Sequence, residues 1–204
     1  LEVTTTAIEL YPNQPLSYYF NDVANNQLKN YEAGIKMLKR GLPLTVSNIS
    51  LRADMYTALG DAYHETEKHT ESDEAYQKSL ELVPNNAYTL NNYAYYLSLR
   101  NQDLERAAEM SLKSIQLMPD NASFEDTYGW ILYQQKKYTE AEKWLNKALL
   151  HGGDKSGVVL EHYGDALYQL GDKEKAVEYW KKAKQAGEAS DLIDKKINDK
   201  MLYE

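Results

Sequence analysis

The sequence predicts an all-α fold of stacked helix pairs, and three observations carry that expectation. A large residue followed by a small one recurs as Leu59-Gly60, Tyr93-Ala94, Tyr128-Gly129 and Tyr163-Gly164, at intervals of 34, 35 and 35 residues. Behind each comes a second helical stretch with small residues seven apart: Ser72 and Ser79, Ala107 and Ser114, Ala141 and Ala148, Ala176 and Ala183. No alternation of strand type persists anywhere in the chain. A glycine inside a helix costs about 1 kcal/mol against alanine unless something needs the space. Gly129 is therefore read as room for the second helix behind it. A single pair is too small to bury its own apolar face, so pairs must stack.

Taken in order, residues 2–10 read as a lone second helix ending before Pro12, with residues 1–13 forming the back half of a truncated repeat. Residues 15–45 read as a degenerate repeat with helices near 15–28 and 31–42. There Asn21-Asp22 occupy the signature, and Gly34 and Gly41 replace the small residues behind it. Four regular repeats follow, at 50–86, 87–121, 122–155 and 156–188. The first begins with a lengthened helix near Ser50. Pro84 and Pro119 stop second helices, and the asparagines after them supply turn chemistry and a cap for the next helix. Residues 189–204 read as a capping segment. Its helix, roughly 189–200, carries a narrow stripe of Ile193 and Ile197 to dock with, and its other faces are polar. The whole is expected to be one domain.

Composition narrows the function. The 204 residues carry 31 acids, 23 Lys and Arg, and a formal charge of −8, against the clustered cations that nucleic-acid phosphates require. No apolar run approaches the roughly 18 residues of a membrane span. Cysteine is absent, which removes disulfides, thiolate metal sites and a cysteine nucleophile. The four histidines, His64, His69, His151 and His162, show no metal-ligand spacing. Glu161, His162 and Asp165 share a helix but read as surface residues with no nucleophile opposite them. No phosphate-binding glycine loop is present, and Gly152-Gly153 reads as a helix terminator. The sequence thus points to no enzyme, cofactor or metal. Asn48-x-Ser50 and Asn121-x-Ser123 match a glycosylation pattern at chance frequency and are discounted.

Leu59-Gly60-x-x-Tyr63, Ala75-Tyr76 and Pro84, together with Tyr128-Gly129-Trp130, Tyr138-x-x-Ala141 and Ala148, resemble the tetratricopeptide repeat. The resemblance runs from the opening half-unit to about residue 186 and is similar in flavour to bacterial members of the family. It implies a right-handed superhelical solenoid of antiparallel helix pairs with a C-terminal capping helix, a fragment of a longer repeat protein. First helices would line a concave groove, and the usual role is protein–protein interaction.

The residues themselves describe that groove. The first-helix segments 15–28, 53–66, 87–99, 122–135 and 156–170 contain no Lys or Arg, but eight acids and twelve of the eighteen tyrosines. Tyr19, Val23, Asp61, His64, Asn91, Tyr95, Asp126, Trp130, Tyr133, Asp165 and Tyr168 are the expected groove-facing residues. Tyr56, Tyr63, Tyr93 and Tyr163 are expected in the core. Tyrosine gives large contact area at small rotamer entropy, and acids favour cationic partners. The expected partner is a protein or peptide of basic or aromatic character. A chaperone's terminal carboxylate would face Asp61 and Asp165 unpaired. The alternatives are a spacer or self-association segment of a larger repeat protein, or a repeat domain joined to an upstream catalytic one. The segment is expected to be soluble, in a bacterial cytoplasm or cell envelope according to what precedes residue 1.

Overall fold

A computed structural model describes residues 1–203. Its helices, in chain order, are α1 (Glu2–Leu10), α2 (Pro15–Gln27), α3 (Tyr31–Gly41), α4 (Ile49–Glu65), α5 (His69–Leu82), α6 (Ala87–Leu99), α7 (Leu104–Leu117), α8 (Ala122–Gln134), α9 (Tyr138–Leu150), α10 (Gly157–Gln169), α11 (Lys173–Ala186) and α12 (Ile193–Asp199). Short 3-10 turns lie at Leu42–Thr45 and Gly153–Lys155. The described residues contain no strand. None of their helices is long and apolar enough to cross a membrane. The expected all-α fold of antiparallel pairs is what forms, with the two helices of α2/α3, α4/α5, α8/α9 and α10/α11 packed together.

Every pair closes with the same turn. The second residue beyond the first helix has a positive φ in all five: Lys29, Glu67, Asn101, Lys136 and Gly171. The next residue's N–H then reaches back five positions to a helix carbonyl, as in Lys68 to Tyr63, Lys137 to Leu132 and Asp172 to Leu167. This is the Schellman arrangement, which satisfies terminal carbonyls. Only Gly171 adopts it without a side-chain penalty. At the other end of the pairs, Asn48, Asn86, Asn121 and Ser156 accept hydrogen bonds from backbone N–H groups of the following first turn. Asn48 and Asn121, the discounted glycosylation matches, are thereby explained as helix caps.

The glycine of each signature makes room for a particular side chain. A Cβ on Gly60 would strike the Tyr76 ring, on Gly129 the Leu145 side chain, and on Gly164 the Trp180 ring. Each occupant stands sixteen residues later. The flanking small residues, Ser72, Ser79, Ala141, Ala148, Ala176 and Ala183, are fully buried beside it. The degenerate repeat inverts this exchange. Asp22 takes the glycine's place with its side chain fully buried, and Gly34 replaces the small residue opposite. A Cβ there would collide with the Asp22 carboxylate.

The chain divides into two compact units, Leu1–Tyr93 and Ala94–Glu204, with the boundary inside α6. The core of the first gathers Ile8, Tyr18, Leu38, Met55, Leu59 and Tyr63. The core of the second gathers Leu132, Leu145, Leu160, Trp180, Ala183 and Ile193. Tyr63, Tyr93 and Tyr163 are buried as expected, and Tyr56 is half-buried. The terminal helix is shorter than expected, spanning seven residues. It does not dock through its isoleucine stripe alone. Ile193 is buried, but so is Lys196, at 3% exposure.

Candidate functional site

The second unit shows how first helices are tied to one another. Count positions from the small residue of each signature. His162, two before Gly164, places Nδ1 2.9 Å from Oδ1 of Asp126, three before Gly129. Its ring also stacks at 4.0 Å on Trp130, one beyond Gly129, which stacks in turn on Tyr133 at 4.8 Å. Lys196 stands 34 residues after His162 and follows the same rule. Its Nζ donates to Glu161 at 2.8 Å and to both Asp165 oxygens at 2.7 and 2.9 Å. Glu161 is three before Gly164 and Asp165 one beyond it. Ser190 adds backbone and hydroxyl donors to Glu161, and Trp180 Nε1 donates to Asp165 at 2.8 Å.

These contacts set the titration of the cluster. Burial pushes the Glu161 carboxyl up, but the Lys196 ammonium and the Ser190 donors outweigh it and hold the group low. Burial likewise pushes Asp165 up, to about 6, with Lys196, His162 and Trp180 opposing only in part. Burial pulls His162 down, but Asp126 against its ring, with Asp165 and Glu161 beyond, raises it overall.

The first unit repeats the geometry with different partners. Asn92, two before Ala94, donates to Asp61, one beyond Gly60, at 3.2 Å. The Tyr76 hydroxyl donates to the same oxygen at 2.5 Å. Asp54, about two turns earlier on α4, accepts from Asn86 at 3.3 Å. Asp54, Asp61, Tyr19, Tyr88 and Asn92 surround an open cavity of about 310 Å³, and none of its lining residues is Lys or Arg. Burial raises Asp61 to about 6 despite its two donors. Burial and the nearby Asp61 raise Asp22 to about 7. The Tyr19 hydroxyl is raised by burial and then by Asp54, Asp22 and Asp61, so the field at this site is negative.

The expected groove residues therefore divide. Tyr19, Asp61, His64, Tyr95, Trp130 and Tyr168 are partly exposed, and Val23 is exposed. Asn91, Asp126, Tyr133 and Asp165 are buried, the last three because the next element in the stack engages them through His162, Gln169 and Lys196. Glu161, His162 and Asp165 are buried network members rather than surface residues. The cation-free first-helix face also needs correction. The lengthened α4 begins at Ile49 and so includes Arg52, and Lys196 inserts an ammonium from the C-terminal side. Lys196, Asn92 and Tyr88 were not singled out from sequence, and Asp54 counted only as one of the eight first-helix acids. Their signal is an offset of 31 to 36 residues between a donor and the acid it meets, close to one repeat.

Asp120, Glu125 and His151 lie within 4.8 Å of one another. His151 uses opposite ring nitrogens for them, Nδ1 at 2.6 Å from Glu125 and Nε2 at 3.6 Å from Asp120. Carboxylates on opposite edges of one imidazole, one hydrogen-bonded and one in a longer ionic contact, do not converge on one point as a shared ligand set would. Lys147 lies 3.7 Å from the other Glu125 oxygen, an ionic contact without a hydrogen bond. The run Lys181-Lys182-x-Lys184 is exposed, as expected, with Lys182 and Lys184 paired to Glu178 and Asp194.

Two tetratricopeptide repeat models match residues 75–109 and residues 53–86, 127–150 and 159–186, more than half of the chain between them. The chain is a tetratricopeptide repeat protein. Solved structures of similar fold include PilF of Pseudomonas aeruginosa, with a TM-score of 0.73, 23% identity, and 91% of this chain aligned to 86% of that one. PilW, described as a widely conserved type IV pilus biogenesis factor, gives a TM-score of 0.78 at 16% identity over 91% of this chain and 85% of its own. YrrB, described as having an unusual peptide-binding site, gives 0.63 at 17% identity over 96% and 97%. No curated protein matches the sequence. At these identities the tetratricopeptide repeat fold is what is shared, and the role that fold supports is that of a protein-interaction scaffold.

Proposed function

We propose that this tetratricopeptide repeat protein is a non-catalytic interaction module whose first unit binds a basic segment of a partner protein. One observation carries the reading. Asp54 and Asp61 face an open cavity between Tyr19 and Tyr88, and no Lys or Arg among the described residues lines it. A lysine or arginine entering there meets two carboxylates and two aromatic rings, which combines charge attraction with cation–π contact. Tyr88 is 57% exposed at the edge of this cavity. PilF and PilW suggest a setting. If this chain works in a comparable cell-envelope assembly, the basic segment belongs to another component of that assembly.

The test uses a fluorescent peptide carrying two lysines and a tyrosine, followed by anisotropy. The expected affinity is on the order of micromolar, about −8 kcal/mol. The double variant Asp54→Asn, Asp61→Asn should weaken binding at least tenfold and flatten its dependence on salt. The amide oxygen introduced beside Tyr76 still accepts from its hydroxyl, so the fold is retained. Unchanged affinity would defeat the assignment. Light scattering over a concentration series checks the other reading, since a self-associating spacer gains mass as concentration rises.

A further inference from the structure

The C-terminal segment sits where the first helix of a following repeat would sit. Lys196 obeys the stacking rule that His162 obeys, reaching the residues three before and one beyond the glycine of the preceding first helix. The difference is in what fills the position. His162 stacks on an aromatic ring, whereas α12 presents an ammonium to two carboxylates.

A segment that only had to cover α10 would do better with an apolar side chain. Removing an ammonium and two carboxylates from water is expensive, and well-packed apolar residues often replace a buried ion pair without loss. What a buried ionic contact supplies is selectivity for one register and one residue type. Ile193 in the core, the Ser190 donors to Glu161 and the Lys184–Asp194 ion pair add to this attachment, but the segment that carries them is short. The helix has seven residues, Leu192 and Met201 at its ends are exposed, and Gly187 and Glu188, just before it, both have positive φ. On its inner side the segment walls a cavity of about 470 Å³. Ser190, Leu192, Lys196 and Tyr203 face Tyr95 and Trp130 across it.

We propose that α12 is a self-ligand, which occupies a lysine receptor formed by Glu161 and Asp165 and is displaced by a lysine-bearing helical segment of a partner. Displacement conserves charge, one ammonium replacing another. The inference concerns the second unit and does not rest on the Asp54 and Asp61 site. The double variant described above should leave it unaltered, so the two readings fail separately.

Hydrogen exchange on the whole chain tests it, with a synthetic peptide of residues 187–203 as the probe. In the unmodified chain, excess peptide should speed exchange of the Ile193–Asp199 amides at least tenfold and leave α8 to α11 protected. The same peptide with methionine in place of Lys196 should do nothing. The Lys196→Met chain should lose α12 protection alone and bind the lysine peptide at least tenfold more tightly than the unmodified chain does. Three results overturn the proposal: protection lost together across α10, α11 and α12, protection unchanged by either peptide, or equal binding of the lysine and methionine peptides. The peptide experiment uses the unmodified chain, so it stands even where Lys196→Met does not fold.

Discussion

Asp61 and Asp165 hold the same place in their repeats, one residue beyond the signature glycine. Each accepts a hydrogen bond from the ring fifteen residues later, Tyr76 for one and Trp180 for the other. Burial raises both to about 6. What separates them is the neighbour supplied by the next element in the stack. Asp61 meets the Asn92 amide, which leaves the charge of its surroundings uncompensated, while Asp165 meets the Lys196 ammonium. The repeat fixes where an acid stands. The next element in the stack decides whether that acid meets a cation or a neutral amide.

The largest expected effect tests this difference directly. Asp165→Ala strips a buried ammonium of one carboxylate and Trp180 of its acceptor, and should cost about 3 kcal/mol in urea unfolding of the second unit. Asp61→Ala removes two neutral donors' acceptor and should cost about 1 kcal/mol. Equal losses would break the comparison.

A second contrast lies inside the first unit. Asp22 is buried where other repeats have glycine, and its folded pKa is raised from 3.8 to about 7. The folded state therefore binds a proton that the unfolded state has released. Stability from this group is full below about pH 4 and is lost as pH rises towards and through about 7. Asp22→Asn should add on the order of 2 kcal/mol at about pH 8 and nothing at about pH 4, read from urea midpoints at the two values.

Smaller effects sharpen the picture. Tyr76→Phe removes a donor that favours ionised Asp61, so the Asp61 titration should move above about 6 by NMR. The accompanying loss, about 1 kcal/mol at about pH 8, should shrink at about pH 5, where Asp61 is protonated. Lys29→Gly and Lys136→Gly relieve left-handed backbone at a turn where Gly171 is already relaxed. Each should raise stability by about 0.5 kcal/mol, seen as a rise in thermal midpoint.

The helix pairs and their spacing were legible in the sequence because they rest on local chemistry. A glycine in a first helix set against small residues of the second, a proline after a second helix and an asparagine before a first helix each act within one repeat. Even the lengthened α4 and the lone α1 could be read that way. The apolar pattern also placed Tyr63, Tyr93 and Tyr163 in the core. The candidate site was legible only in its ingredients. Acids and tyrosines do gather on the first helices, but composition does not say which acids are spent on stacking. Asp126 and Asp165 pass for groove residues in sequence and are buried in the structure.

By itself the sequence determined that this chain stacks helix pairs, and which residues make room at each crossing, because those demands recur every 34 or 35 residues and involve neighbours in the chain. Tertiary structure alone decided that Lys196 pairs with Glu161 and Asp165 while Asp54 and Asp61 line a cavity that holds no Lys or Arg. That outcome depends on contacts between residues a full repeat apart, where one side chain's place in the stack changes the electrostatics of another.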